Sequence, residues 1–210
     1  MTLDDPDYGL AERFLARSDP DFAALIIRVG PSRLAPAAAR SPYEALLRAV
    51  AHQQLHGKAA EAILGRLLAL FPDHLFPPAE AILACSEQSL RDCGWSAAKI
   101  AAIKDIAAHS LSGLVPGAEE AAGLSDAALI ERLTRLRGVG RWTVEMLLIF
   151  TLGRPDILPV DDFGVREGYR KLKSLTEQPK PKALAEIGQA WQPYRSTASW
   201  YLWRANEGKP

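Results

Sequence analysis

Two adjacent carboxylates, Asp161 and Asp162, sit in the run PVDDFGVREGY, directly ahead of a segment with helical spacing. A carboxylate in that place can cap the helix, because an Asp side chain accepts hydrogen bonds from first-turn amides and meets their partial positive charge. It can also stabilise positive charge developing on a reacting group and orient or deprotonate an attacking water. Both roles stay open from the residues alone. The two carboxylates repel each other, and if both were partly buried one would titrate upward.

A second cluster lies upstream, in Leu136-Arg137-Gly138-Val139-Gly140-Arg141. Two glycines allow a turn tight enough for successive backbone N–H groups to point outward together, which is a way to hold an anion. A helix starting near Arg141 would add its N-terminal dipole. The same residues also suit a plain helix–helix turn closed by glycine. His52 and His56, four apart in HQQLH, share the spacing of a zinc-binding helix, but Gln53 stands where a metalloprotease carries its glutamate, which argues against a metal there.

The elements that must position these residues read as helices throughout. Ala, Leu, Glu and Arg dominate, and apolar positions recur at three and four spacing. The periodicity predicts helices over 8–18, 20–29, 42–51, 55–71, 78–84, 86–93, 96–110, 125–136, 141–151, 162–172, 181–190 and 195–206, and no strand. Ser41, Ser96 and Ser125 are start signals, and 174–181, with Pro179 and Pro181, reads as a longer loop.

Composition removes several classes. With 210 residues, 48% hydrophobic and 24% charged, the chain is expected to fold in water around a substantial core. No apolar run is long enough for a bilayer, and the acidic start MTLDDPDYGL does not read as a secretory signal, so the expected location is cytoplasmic. Two cysteines are too few for a disulfide framework. Lys+Arg 25 against Asp+Glu 25 points to no polyanionic partner, although Arg132, Arg135, Arg137, Arg141, Arg154, Arg166 and Arg170 crowd one later stretch.

The run LRGVGRWTVEMLLIFTLGRPDILPVDDFGVREGY resembles the hairpin and catalytic segment of the helix-hairpin-helix (HhH-GPD) DNA glycosylase superfamily, in particular its 3-methyladenine DNA glycosylase II branch. SPYEALLRAVAHQQLHGKAAEAILGRL resembles that branch's paired-glutamine segment, GWSAAKIAAIKDIA its central helix pair, and WQPYRSTASWYLWR its final helix. The resemblance runs in the right order from about Pro42 to Arg204.

It implies an all-α fold of two helical lobes around a DNA-binding cleft, one lobe from 1–41 plus 155–210 and the other from 42–154, with the hairpin at 136–141. It also implies a monofunctional hydrolase, of the DNA-3-methyladenine glycosylase II type, that releases alkylated bases such as 3-methyladenine and 7-methylguanine during base excision repair. Matched residue by residue, Asp162 is the implied catalyst, twenty positions after Trp142, and Asp161 the second choice. Trp142, Phe163 and Tyr194 would line the base pocket. Gly138, Val139, Gly140 and Arg141 would meet DNA phosphate, and Gln54 or Leu55 would fill the gap left by the extruded base.

Carbonyls of Thr134, Leu136 and Val139 would hold a structural Na+ or K+, with no other cofactor. Lys58, Lys99 and Arg195 are further phosphate candidates. The expected partner is double-stranded DNA containing alkylated bases, met by a monomer, without a membrane and in the bacterial nucleoid during repair. Trp142 occupies the place where strand-cleaving relatives carry a Schiff-base lysine. His52 and His56 depart from the small residues usual in the branch. Two other readings stay open: a non-catalytic DNA-binding module, and a glycosylase for oxidised or mismatched bases.

Overall fold

The computed structural model describes residues 8–55 and 57–206, all helical or irregular with no strand among them. His56 lies outside the described residues. The helices are α1 (Tyr8–Ser18), α2 (Pro20–Val29), α3 (Pro42–His52), α4 (Gly57–Ala69), α5 (Ala79–Ala84), α6 (Glu87–Asp92) and α7 (Ala97–Leu111). They continue as α8 (Ala118–Gly123), α9 (Asp126–Leu133), α10 (Arg141–Phe150), α11 (Phe163–Leu172), α12 (Pro181–Ile187), a 3-10 turn (Gly188–Trp191) and α13 (Arg195–Asn206). No helix among the described residues is long and apolar enough to cross a membrane.

Hydroxyl caps account for many of the starts. Ser41, Ser86, Ser96 and Ser125 each accept the amide three residues on, satisfying one of the orphan donors of the first turn. The ninth helix stops at Leu133, three residues before the end predicted by periodicity. Thr134 turns its hydroxyl back onto the Ile130 carbonyl at 2.7 Å and begins the hairpin instead. Helix α8 is absent from the sequence reading: its six residues AEEAAG bury only Ala121 and carry no side-chain cap.

The chain divides into two compact units, 1–36 with 153–210, and 37–152. The first boundary falls ahead of Ser41 because the Ala37 amide donates to the Phe150 carbonyl at 2.8 Å, tying 37–41 to α10. In the continuous unit, α3 packs on α4, α7 and α10, and α9 on α10. Leu46, Leu47, Val50, Ile103, Leu133 and Leu148 form its buried centre.

The unit built from the chain's two ends is organised by α13. Phe22 and Tyr169 pack on Trp191 with ring centroids 5.4 and 5.8 Å away. The Tyr201 hydroxyl donates to Glu12 Oε1 at 2.8 Å, and the Ser32 amide to the same oxygen at 2.6 Å. Burial, reinforced by that bond to Glu12, pushes the Tyr201 phenol well above its usual range, so it stays a donor.

Within this unit α11 and α13 approach most closely. Gly164 and Gly168 share one face of α11, and a Cβ on Gly168 would lie 1.9 Å from the Leu202 carbonyl oxygen. Backbone therefore rests directly on backbone.

Candidate active site

In the continuous unit the hairpin runs from Thr134 to Gly140. Gly138 has φ +73°, and a Cβ there would lie 2.8 Å from the Ala102 Cβ, so both its conformation and its packing call for glycine. Gly140 is extended and precedes α10 as its N-cap. The turn's donors divide. Arg137 N–H donates to Asp105 Oδ2 at 2.8 Å and Val139 N–H to the Leu136 carbonyl at 3.2 Å. The Val139 amide closes the turn and its side chain is buried.

Arg141 is also partly committed. Its guanidinium is exposed but bonds Glu145 Oε1 at 2.8 Å, and the Glu145 side chain is only 3% exposed. A buried carboxylate requires such a partner.

The loop between α3 and α4 is fastened to the hairpin. Gln53 donates its side-chain amide to the Gly138 carbonyl and to Thr143 Oγ1, both at 2.9 Å. Lys99, expected at phosphates, instead donates to the carbonyls of Ala51 at 2.8 Å and Gln53 at 3.0 Å, and burial lowers its pKa. Gln54 then takes a left-handed conformation, φ 55°, and it and Leu55 are exposed. The two wedge candidates thus stand out from a braced loop, and the left-handed conformation of Gln54, which costs a non-glycine residue about 1–3 kcal/mol, persists because that bracing enforces it.

Replacing Gln53 with Ala removes both bonds and strands the buried Thr143 hydroxyl. The expected loss is about 1–3 kcal/mol, read from the urea midpoint. An unchanged midpoint would show that the loop is held by Lys99 alone.

Trp142 opens α10 and lines a cavity of about 320 Å³ together with Met146, Phe150, Arg48, His52 and Glu61. His52 Nε2 lies 3.1 Å from Glu61 Oε1. Among the described residues, no group of three or more His, Cys, Asp or Glu is placed to hold a metal ion.

In the other unit Asp162 is the N-cap of α11. Its Oδ1 accepts the Val165 amide at 2.7 Å and the Trp203 indole Nε1 at 2.9 Å. Asp161 is exposed while Asp162 is half-buried, so the close-packed pair of carboxylates considered above does not form. Phe163 is 68% exposed, and Tyr194 packs edge-on against Phe14 at 5.3 Å. Arg195, another phosphate candidate, is held by Asp156 through bonds of 2.7 and 2.9 Å. Trp203, whose type and place in a final helix ordinarily mean core, carries no local sign of this contact, because 41 positions separate it from Asp162.

The HhH-GPD superfamily of base excision DNA repair proteins matches residues 47–193. The chain belongs to this superfamily. Among HhH-GPD proteins it is similar to the DNA-3-methyladenine glycosylase 1 of Schizosaccharomyces pombe, 44% identical over 200 residues, 94% of this chain and 87% of that protein. A solved structure of the Schizosaccharomyces pombe 3-methyladenine DNA glycosylase in complex with abasic DNA superposes with TM-score 0.90 at 44% identity, covering 93% of this chain and 95% of that one. The DNA-3-methyladenine glycosidase of Bacillus halodurans superposes with TM-score 0.78 at 32% identity, covering 99% of this chain and 92% of that one. The HhH-GPD fold and the all-helical architecture expected of it are both present.

Proposed function

We propose that this HhH-GPD protein is a monofunctional DNA glycosylase that hydrolyses the N-glycosidic bond of alkylated bases, 3-methyladenine and 7-methylguanine among them, and leaves an abasic site. The observation that carries the reading is Asp162, half-buried at the head of α11 with its Oδ1 clamped by the Val165 amide and the Trp203 indole. Capping alone needs the first of those donors.

As a base departs, the sugar gains oxocarbenium-like positive charge, which a fixed carboxylate stabilises while it orients the attacking water. Asp162 takes that part and Asp161 the part of its exposed neighbour. Bases alkylated at a ring nitrogen are cationic and leave readily, so less assistance is required of the protein. Trp142, at the cavity of the continuous unit, offers an indole face on which a cationic base gains about 0.5–2 kcal/mol. No lysine stands at that position to form a Schiff base, which makes water the nucleophile.

Double-stranded DNA is gripped at the hairpin, where Gly138, Gly140 and Arg141 meet phosphate at the N-terminus of α10 without reading base edges. Gln54 and Leu55 fill the space that the extruded base vacates. In the unit that carries Asp162, Phe163 and Tyr194 are the aromatic residues assigned to the base. Carbonyls of Thr134, Leu136 and Val139 suit a monovalent cation. The Leu136 oxygen already accepts Val139 N–H, but a carbonyl keeps a second lone pair. Bound there, Na+ or K+ would add positive charge for a phosphate. The protein acts as a monomer where the cell's DNA is.

The test uses DNA methylated with methyl methanesulfonate. The wild-type protein is expected to release 3-methyladenine and 7-methylguanine and to give no covalent adduct with borohydride. Absence of any released base would sink the glycosylase reading, and a borohydride-trapped adduct with strand nicking would sink the water mechanism.

A further inference from the structure

The geometry points to Trp203 as a positioning residue for the reaction, acting through Asp162; this rests on the reading of Asp162 as the catalyst. Indole Nε1 is a donor only, and at 2.9 Å it is spent on Asp162 Oδ1. The Val165 amide reaches the same oxygen at 2.7 Å. One donor belongs to the backbone of α11 and the other to a side chain of α13, so the two come from separate elements and together fix how the carboxylate is turned. A catalytic group held this way needs no reorganisation when charge develops nearby.

Two features of the α11–α13 contact serve this bond. Gly164 lacks the Cβ that would stand 2.9 Å from Trp203 Cδ1 and 3.1 Å from Asp162 Oδ1, so glycine leaves the approach of the indole open. Asn206, one turn beyond Trp203, donates its side-chain amide to the Gly164 carbonyl at 2.6 Å and holds the two helices level. Trp203 itself is only half-buried, whereas Trp200 on the same helix is 6% exposed and carries the Arg204 guanidinium 5.1 Å from its ring centroid. Trp200 is thus the more deeply buried of the two.

The experiment measures the single-turnover rate of 7-methylguanine release, affinity for abasic-site DNA and thermal stability for Trp203→Phe, Asp162→Asn, the double variant and Trp200→Phe. Trp203→Phe keeps the ring and removes the donor. Its rate is expected to fall about ten- to a hundredfold, the effect of one hydrogen bond to a charged group, with affinity for abasic DNA within about twofold of wild type. The double variant should be no slower than Asp162→Asn alone, because the indole acts only through that carboxylate. Trp200→Phe should lower the melting temperature and leave the rate alone.

A wild-type rate for Trp203→Phe beside an inactive Asp162→Asn would overturn this inference and spare the catalyst. So would losses that add in the double variant, or a rate that falls only in step with stability and affinity. An active Asp162→Asn would overturn both. If Trp203→Phe fails to fold, Asn206→Ala decides, since it removes the bond that holds α13 to the Gly164 carbonyl without touching Asp162: a slowed reaction at unchanged affinity for abasic DNA supports the inference and an unchanged rate overturns it.

Discussion

Asp162→Asn is expected to slow release of alkylated bases by on the order of 10²–10⁴, the range set by removing a general base or a preorganised charge. Asparagine is the informative replacement because it is nearly isosteric and is itself a strong helix N-cap. Its carbonyl oxygen can still accept the Val165 amide and the Trp203 indole, so the start of α11 is retained and only the negative charge goes. The melting temperature should therefore change little, and affinity for abasic-site DNA should persist. Single-turnover excision on methylated DNA reads the effect directly. A variant within threefold of wild type would remove Asp162 from the chemistry and move attention to Asp161, for which Asp161→Asn is the matching measurement.

The largest expected loss of stability comes from Gly168→Ala. The added Cβ would meet the Leu202 backbone at three atoms, 1.9 Å from the oxygen, 2.5 Å from the carbonyl carbon and 2.9 Å from Cα. A clash with a flexible side chain is relieved by a rotamer change, but here the neighbour is main chain and the helices must separate. Separation opens the contact that buries Val165, Tyr169 and Leu202. Overpacking ordinarily costs about 1–3 kcal/mol, and a backbone clash belongs at or above the top of that range. For a domain with about 5–15 kcal/mol in hand the variant is expected to be seriously weakened. Urea unfolding measures it; a midpoint unchanged from wild type would mean that α11 can slide without loss.

Much of the fold was legible in the residues because local rules decided it. Pro20–Val29 and Arg195–Asn206 match the predicted bounds, and Ser41, Ser96 and Ser125 cap the helices they precede. What escaped depended on distant neighbours or on segments too short to show a period. Gly188–Trp191 tightens into a 3-10 turn where a Cβ on Gly188 would lie 2.2 Å from Leu158 Cδ2, a contact thirty residues away in sequence. The site divides in the same way. Asp162 and the hairpin could be found by motif, whereas the Gln53 bonds to Gly138 and Thr143 and the Trp203 bond to Asp162 span 85, 90 and 41 positions and leave no local trace. The spacing of Gly164 and Gly168 was a readable sign of close helix approach, yet glycine in FGVREGY has no single meaning without its partner helix.

Because one unit is assembled from 1–36 and 153–210 around a continuous 37–152, the two have different histories on the ribosome. The continuous unit, with its hairpin and Trp142 cavity, is made of one uninterrupted stretch of chain and can form while synthesis proceeds. The unit carrying Asp162 cannot. Glu12 gains its Tyr201 donor, and α11 its main packing partner α13, only when the last helix has been made. On the proposed roles of the two units, the nascent protein would complete the turn proposed to hold phosphate before the carboxylate proposed to act on the sugar is set.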